Sequence, residues 1–303
     1  MNLFDPSALE CFAAVVEEGS YAQAAVRLSI TQSAVSQRVR GLELQAGTVL
    51  VVRSKPVRAT AAGRLLLKHT KQLRLLHTDL QYDLHALTPR ANDQNIEAER
   101  ISIAINADSI ATWALPAIDG LVSSGLNVEV IADNQDFTQE WLREGRVLGC
   151  VTTVKQPLRG CKMTRLGSMR YVAVASQEIA NKHFSDGLGR QNFNAVPFVS
   201  FDRKDHMQTE LVRKVLGLKN VSLNQLFIPS SEGQVRAVLS GWGASVVPEL
   251  LVRGLLEQRS LINISPTNSV QVELFWHCWN LDSAILHGLT KALVENAGKS
   301  LKN

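Results

Sequence analysis

The chain has 303 residues, 45% of them hydrophobic, and a net charge of only +4. It is long enough for two or three globular units. No run approaches the roughly 18 apolar residues of a membrane span, and no basic-then-apolar signal opens the chain, so a soluble, cytoplasmic protein without a membrane partner is expected. Cys11, Cys150, Cys161 and Cys278 show neither CxxC pairing nor metal-ligand spacing, which points to reduced thiols and no bound metal. The seven histidines are scattered, and GxSxG, HExxH and Gly-rich phosphate loops are missing, so neither catalysis nor a cofactor is expected.

In chain order, the first signal lies in residues 20–43, SYAQAAVRLSITQSAVSQRVRGLE. Ser20 with Gln23 is a capping-box pattern that starts a short helix, and the small Ala24 and Ala25 allow a second helix to cross closely. The turn falls near Ser29 and Ile30. Thr31 is a good N-cap for a helix that shows Gln32, Ser33, Ser36, Gln37 and Arg40 on one side and turns Ala34, Val35, Val39 and Leu42 inward. Such a polar stripe suits base edges in a major groove, although a plain amphipathic surface helix has the same period. Charge separates the two readings. Between Arg27 and Arg74 ten basic residues face one acid, Glu43, a net of +9 that leaves the rest of the chain at −5. A basic segment on an otherwise acidic protein is a footprint for phosphate, and double-stranded DNA is the expected partner. A wing follows: residues 49–52 are apolar and mostly β-branched, and Lys55-Pro56 is a turn signal ahead of Arg58.

Ser20, Ala24, Ala25, Leu28, Thr31, Gln32, Ser33, Ala34, Val35, Ser36, Leu42 and Glu43, followed by Gly47, Leu50, Arg53, Thr60 and Gly63, resemble the N-terminal domain of LysR-type transcriptional regulators. The resemblance implies an all-α winged helix-turn-helix over residues 1–60, with helices at 9–18, 20–28 and 31–45 and a β-wing at 49–60. It implies DNA contacts from Thr31, Gln32, Ser33, Ser36, Gln37, Arg38, Arg40, Arg53 and Arg58. Val51 stands where most members have Phe, which keeps an apolar plug.

Leu66, Leu73, Leu80 and Leu87 then recur every seven residues, with Leu76 and Leu84 on the same face. A seam of this kind favours a second copy of the helix. Residues 61–87 would span about 40 Å at roughly 1.5 Å per residue, and the resemblance implies the same dimerisation linker helix, extending to residue 88. Thr88 and Pro89 stop it, and residues 89–99 read as a polar hinge with Ile96 as the apolar anchor.

From residue 100 onward strand-like runs at 101–105, 127–132, 147–151, 171–175, 198–201, 226–228, 245–247 and 272–276 alternate with amphipathic stretches such as 137–143, 207–216 and 234–239. This is an α/β pattern, expected to be rich in parallel pairing. The order resembles the effector domain of the same family, which implies two lobes built like type 2 periplasmic binding proteins. Lobe I would hold residues 100–168 and 270–303 and lobe II residues 169–269, with crossings near 168–171 and 266–270. Ligands in such folds sit beyond strand ends, and three segments qualify: NADSIATW at 106–113, FDRKDHM at 201–207 and PSSEGQ at 229–234. Each also reads as ordinary helix capping by Asp108, Asp205 or Ser231.

Those segments, SSE at 230–232, FWH at 275–277 and the wing residues Val52, Arg53, Pro56, Arg58 and Thr60 are similar to the ArgP/LysG subgroup of LysR-type regulators. That subgroup responds to arginine and lysine and controls amino-acid export. The implied effector is a basic amino acid, with Asp108, Ser109, Thr112, Thr153, Asp202, Ser230, Ser231 and Glu232 as candidate contacts: carboxylates for the ammonium or guanidinium, hydroxyls and helix-end amides for the α-carboxylate. The implied partners are a second copy or a tetramer, with RNA polymerase as a further candidate. Alternatives are a LysR-type regulator with a different effector, a broad nucleoid or replication-origin binder, and a thiol redox sensor using Cys150 and Cys161.

Overall fold

Asp5 opens helix α1 (Pro6–Glu18) by accepting from the Ser7 and Ala8 amides, and Gly19, left-handed at φ 63°, ends it. Ser20 caps α2 (Tyr21–Arg27) through the Gln23 amide, and Thr31 caps α3 (Gln32–Ala46) through the Ala34 amide. Val35, Val39 and Leu42 are buried with Phe12 and Val15 of α1 and Ala24 and Ala25 of α2, in one core. The wing pairs β1 (Val51–Val52) antiparallel with β2 (Arg58–Ala59). Its strands are shorter than the sequence suggests, yet Thr60 continues the pairing by donating to the carbonyls of Leu50 through its amide and of Val49 through its hydroxyl, at 2.9 and 2.8 Å. Glu43 reaches from α3 to the Leu50 amide at 2.9 Å and fixes the wing to it.

The computed structural model describes residues 4–52, 54–87, 100–133 and 138–302. Arg53, Thr88, the hinge at 89–99 and Phe137 of the expected helical stretch lie outside the described residues.

Helix α4 (Ala61–Leu87) is docked on the N-terminal core by Leu66 and Leu67 and by charge. Arg74 donates to Glu10 and Glu17, Lys71 lies 3.5 Å from Glu17, and Arg27 donates to Glu17 at 2.7 Å. Burial alone would raise the Glu17 carboxyl; the Arg74, Lys71 and Arg27 cations overrule it and hold it below the usual range. Three of the ten cations counted as a phosphate footprint are thus engaged by acids of α1.

The rest of the chain runs β3 (Ile101–Asn106), α5 (Ala107–Ser109), a π turn (Ile110–Ala114), α6 (Leu115–Ser123), β4 (Val128–Asp133), α7 (Thr138–Arg143), β5 (Gly149–Thr152), β6 (Cys161–Ser176), α8 (Gln177–His183), β7 (Phe198–Ser200), α9 (Met207–Leu216), β8 (Gln225–Phe227), α10 (Ser231–Leu239), β9 (Ala244–Pro248), α11 (Glu249–Glu257), β10 (Leu261–Asn263), β11 (Val270–Trp279) and α12 (Ala284–Ser300). The strands order as β4-β3-β5-β11-β6-β9-β7-β8, with β10 beside β6. The expected parallel pairing holds for β3 with β4 and β5 and for β7 with β8 and β9. The sheet is nevertheless mixed, because the two long strands β6 and β11 run antiparallel to each other and to their neighbours. These two strands join the lobes. Residues 275–278 of β11 pair with β5, and residues 161–165 of β6 join that side through β11, whereas residues 171–176 of β6 pair with β9 and β10. Between these stretches β6 carries Gly167 (φ 133°) and β11 a register shift between Leu274 and Phe275.

Gly63 marks the tightest joint in the N-terminal domain: a Cβ there would stand 2.0 Å from the Leu50 carbonyl oxygen, whereas a Cβ on Gly41 of α3 would meet nothing within 4 Å. Gly63→Ala is therefore expected to destabilise this domain by about 1–3 kcal/mol, and Gly41→Ala to stabilise it by about 0.5–1 kcal/mol. Chemical denaturation of both variants checks this; a neutral Gly63→Ala would mean that the wing and α4 are not locked together here.

Candidate functional site

Strands β3 and β4 end side by side, Asn106 opposite Asp133, at the carboxyl edge where parallel strands leave room for a ligand. Asp108 lies two residues past the end of β3. From the second lobe, the loop after β7 brings Phe201 and Asp205, and β8 leads into the first turn of α10. Between them is a cavity of about 30 Å³, lined by Asn106, Asp108 and Asp133 on one side, Phe201, Asp205, Met207, Gln234 and Val246 on the other, and Tyr171 of β6 between. Its described lining contains three carboxylates and no lysine or arginine.

Asp108 is bonded from both sides. Its Oδ1 accepts from the Ser231 hydroxyl and its Oδ2 from the Tyr171 hydroxyl, each at 2.6 Å. Burial pushes its carboxyl above the ordinary range, outweighing the two donated hydrogen bonds, and nearby Asp205 pushes the same way. Asp133 accepts from the Trp141 indole at 2.8 Å, and Asp205 accepts from the Phe201 and Met207 amides at 2.9 Å.

Of the residues expected here, Asp108 and Ser231 meet across the lobes. Ser109 is buried and accepts from the Trp113 indole, and the Thr112 hydroxyl donates to the Asp108 carbonyl, so both stabilise the π turn. The α10 cap is Ser230, which binds the Gly233 amide; the expected cap, Ser231, is the first helical residue and its hydroxyl points to Asp108. Glu232 is exposed, Asp202 folds its own turn by accepting from the Lys204 and Asp205 amides, and neither these nor Thr153 and Ser230 line the cavity. The lining also takes in Asn106, Asp205 and Gln234, which lie inside the three expected segments, and Asp133 and Tyr171, which lie outside them. Asp133 carries a sequence signal, since it ends a strand of a parallel pair. Of the FWH segment, Trp276 donates to Thr290 and His277 sits against the Val154 carbonyl, in the core of the sheet.

A larger recess of about 880 Å³ separates α1 and α4 from the β3–β4 edge. Lys71, Arg74 and Arg27 face it already paired with Glu17, so it is an interdomain groove, and the interlobe cavity is the better ligand site. Burial pushes the Cys150, Cys161 and Cys278 thiols up, away from the reactive thiolate a redox sensor needs.

On the N-terminal domain, Thr31, Gln32, Ser33, Ser36, Gln37 and Arg40 are exposed along α3, and Arg58 is exposed on β2. Arg38 is exposed as well, on the other flank of α3, with its guanidinium 3.7 Å from Cys11 Sγ of α1. Arg53 lies outside the described residues. On α4, Leu73, Leu76, Leu80, Leu84 and Leu87 are exposed. Leu66, expected in the same seam, is instead buried in the N-terminal core, because the first turns of α4 serve that domain.

A model of the bacterial regulatory helix-turn-helix protein, lysR family, matches residues 6–64, and the LysR substrate binding domain matches residues 94–284. The chain belongs to the LysR family. This LysR-family protein is 40% identical to the transcriptional regulator LysG of Mycobacterium tuberculosis over 94% of this chain and 91% of that one. It is 37% identical to ArgP of Pseudomonas aeruginosa over 99% and 98%. Its fold matches the crystal structure of ArgP from Mycobacterium tuberculosis, at 37% identity with a TM-score of 0.81 over all of both chains. It also matches full-length LysG from Corynebacterium glutamicum with bound effector Arg, at 31% identity with a TM-score of 0.74 over 99% of this chain and 100% of that one. The protein is accordingly a DNA-binding transcriptional regulator with an effector domain, and its relatives are transcriptional regulators.

Because folding raises the Asp108 pKa, there is a pH interval in which the folded state still holds a proton that the unfolded chain has already released. Stability contributed by this group is complete below the unfolded carboxylate range and is lost as pH rises through the raised value. Asp108→Asn, with no proton to lose, is expected to flatten that decline. Melting temperatures of both proteins between about pH 4 and pH 8 measure it, and parallel curves would acquit Asp108.

Proposed function

We propose that this regulator is set by a basic amino acid, lysine or arginine, bound between the lobes. The observation that carries the reading is the cavity walled by Asp108, Asp133 and Asp205 with no cationic side chain among its described lining. Carboxylates away from water favour an ammonium or guanidinium strongly, since a charge-assisted bond returns what desolvation costs. The Arg bound by the Corynebacterium glutamicum relative supports the same class. Ligand pockets for small molecules measure about 300–1,000 Å³, so the lobes must part from the present 30 Å³ to admit the effector. The protein acts in the cytoplasm on promoters of amino-acid export or metabolism genes, with RNA polymerase as a further partner. No helix among the described residues is long and apolar enough to cross a membrane.

DNA is read by Gln32, Ser33, Ser36, Gln37 and Arg40 of α3, with Arg58 and Arg53 at the wing. Two copies join along the exposed Leu73, Leu76, Leu80, Leu84 and Leu87 face, and dimers pair into tetramers. The working units are residues 1–60 for DNA, 61–88 for dimerisation, 89–99 as a hinge and 100–303 for the effector.

Arg40→Ala is expected to weaken operator binding by about 1–3 kcal/mol and relax base preference, whereas Arg58→Ala weakens binding alike on all sequences and lowers the salt slope. Titrating labelled operator and random DNA at several salt concentrations separates the two; equal affinity for both DNAs in the wild type would contradict the reading. A thermal-shift screen of the twenty amino acids tests the effector. Lysine or arginine should raise the melting temperature by mass action, and a shift by neither, or by acidic amino acids alone, would refute a basic effector.

A further inference from the structure

Asp108 is the point where the first lobe, the second lobe and the crossing strand meet. Ser231 approaches it from α10 of the second lobe and Tyr171 from β6, and the two hydroxyls occupy both carboxylate oxygens at 2.6 Å. The Ser231 hydroxyl is not needed by its own helix, since Ser230 supplies the α10 cap through the Gly233 amide. Tyr171 is buried and held rigidly, its backbone paired with Pro248 of β9 on one side and Val270 of β11 on the other. Each carboxylate oxygen can accept a second bond, but about 30 Å³ of space beside it is too little for an amino acid, so a cationic effector reaches Asp108 only if the lobes part and α10 carries Ser231 away.

From this geometry we propose that Asp108, Ser231 and Tyr171 form an interlobe latch, which a basic effector opens by replacing the hydroxyls on the Asp108 carboxylate. The proposal rests on the reading of this cleft as the basic-effector site. Asp108 is then the effector's contact, while Ser231 is a positioning residue that competes with the effector for it. Substitutions within one hydrogen-bonded cluster therefore have opposite effects. Removing the competitor leaves the lobes easier to part and tightens binding; removing the carboxylate abolishes the attraction.

Isothermal titration of the full chain with L-lysine and with L-arginine tests this. Ser231→Ala is expected to tighten binding of the recognised amino acid about tenfold, equivalent to about 1.4 kcal/mol and in the range of one hydrogen bond to a charged group. Tyr171→Phe should act in the same direction, and Asp108→Asn should weaken binding at least tenfold. Weaker binding by Ser231→Ala would overturn the latch and make the serine an effector contact. Hydrogen exchange provides a readout independent of any ligand: the amides of residues 231–234 should exchange about tenfold faster in Ser231→Ala and in Asp108→Asn, while those of β3 stay protected and report an intact fold. Unchanged exchange overturns the latch even if the amino acid binds. If exchange rises but neither amino acid binds the wild type, the effector assignment fails and the latch stands.

Discussion

Lys68, Lys71, Leu75 and Asp79 lie along one face of α4, and each reaches the effector domain of the same chain, Lys71 while also pairing with Glu17 of α1. Lys68 sits over the Trp279 ring at 6.0 Å, Lys71 donates to the Arg146 carbonyl at 2.7 Å, Leu75 joins the effector-domain core, and Asp79 accepts from the Ile285 amide in the first turn of α12. A carboxylate at a helix N-terminus is favoured by the unpaired amides there. At its first turns Leu66 and Leu67, and farther on Arg74, bind the helix to the N-terminal domain, while the leucines from Leu73 to Leu87 are exposed. A helix with a rise of about 1.5 Å per residue is a stiff rod at this length, so these two attachments are geometrically coupled. Movement of the effector domain has to be taken up by α4 or by the N-terminal domain, and would be passed to any second copy docked on the leucine face.

The cleft shows how a regulator can be poised. Asp108 is half-buried beside two hydroxyls that stabilise its charged form, yet desolvation still raises its pKa. Two hydroxyl donors hold the carboxylate in place without neutralising it. A cation of matching reach satisfies it better, because a charge-assisted bond in a water-excluded site is stronger than one from a neutral hydroxyl. The difference between the two partners is the free energy available to move the lobes.

The N-terminal domain was legible in the sequence because its signals are local. Ser20 and Thr31 cap the helices they were expected to cap, and the buried positions of α3 follow its 3.6-residue period. Where two bodies compete for one surface, period says nothing: Leu66 shares the heptad of Leu73 and Leu80, but the N-terminal core claims it. Arg27, Lys71 and Arg74 counted as basic charge for DNA because their acidic partners, Glu10, Glu17 and Glu18, lie outside the counted segment. In the effector domain, the first half of β6 alternates polar and half-buried residues and does not read as a strand by composition. Asp202 and Asp205 look alike in the sequence, and only the fold turns one into a surface bend and the other towards the cavity. Tyr171 carries no local mark at all, since its role depends on a carboxylate 63 residues away in the chain.

The central claim is that a cation held at Asp108 changes what the distant α3 helices do on DNA. Operator binding by the full-length protein, followed by footprinting with and without saturating L-lysine or L-arginine, tests it most directly. A change in affinity or in footprint length with the wild type, lost in Asp108→Asn while that variant still binds the operator, is the predicted result. An identical response in wild type and Asp108→Asn, or none in the wild type with the amino acid demonstrably bound, would contradict it.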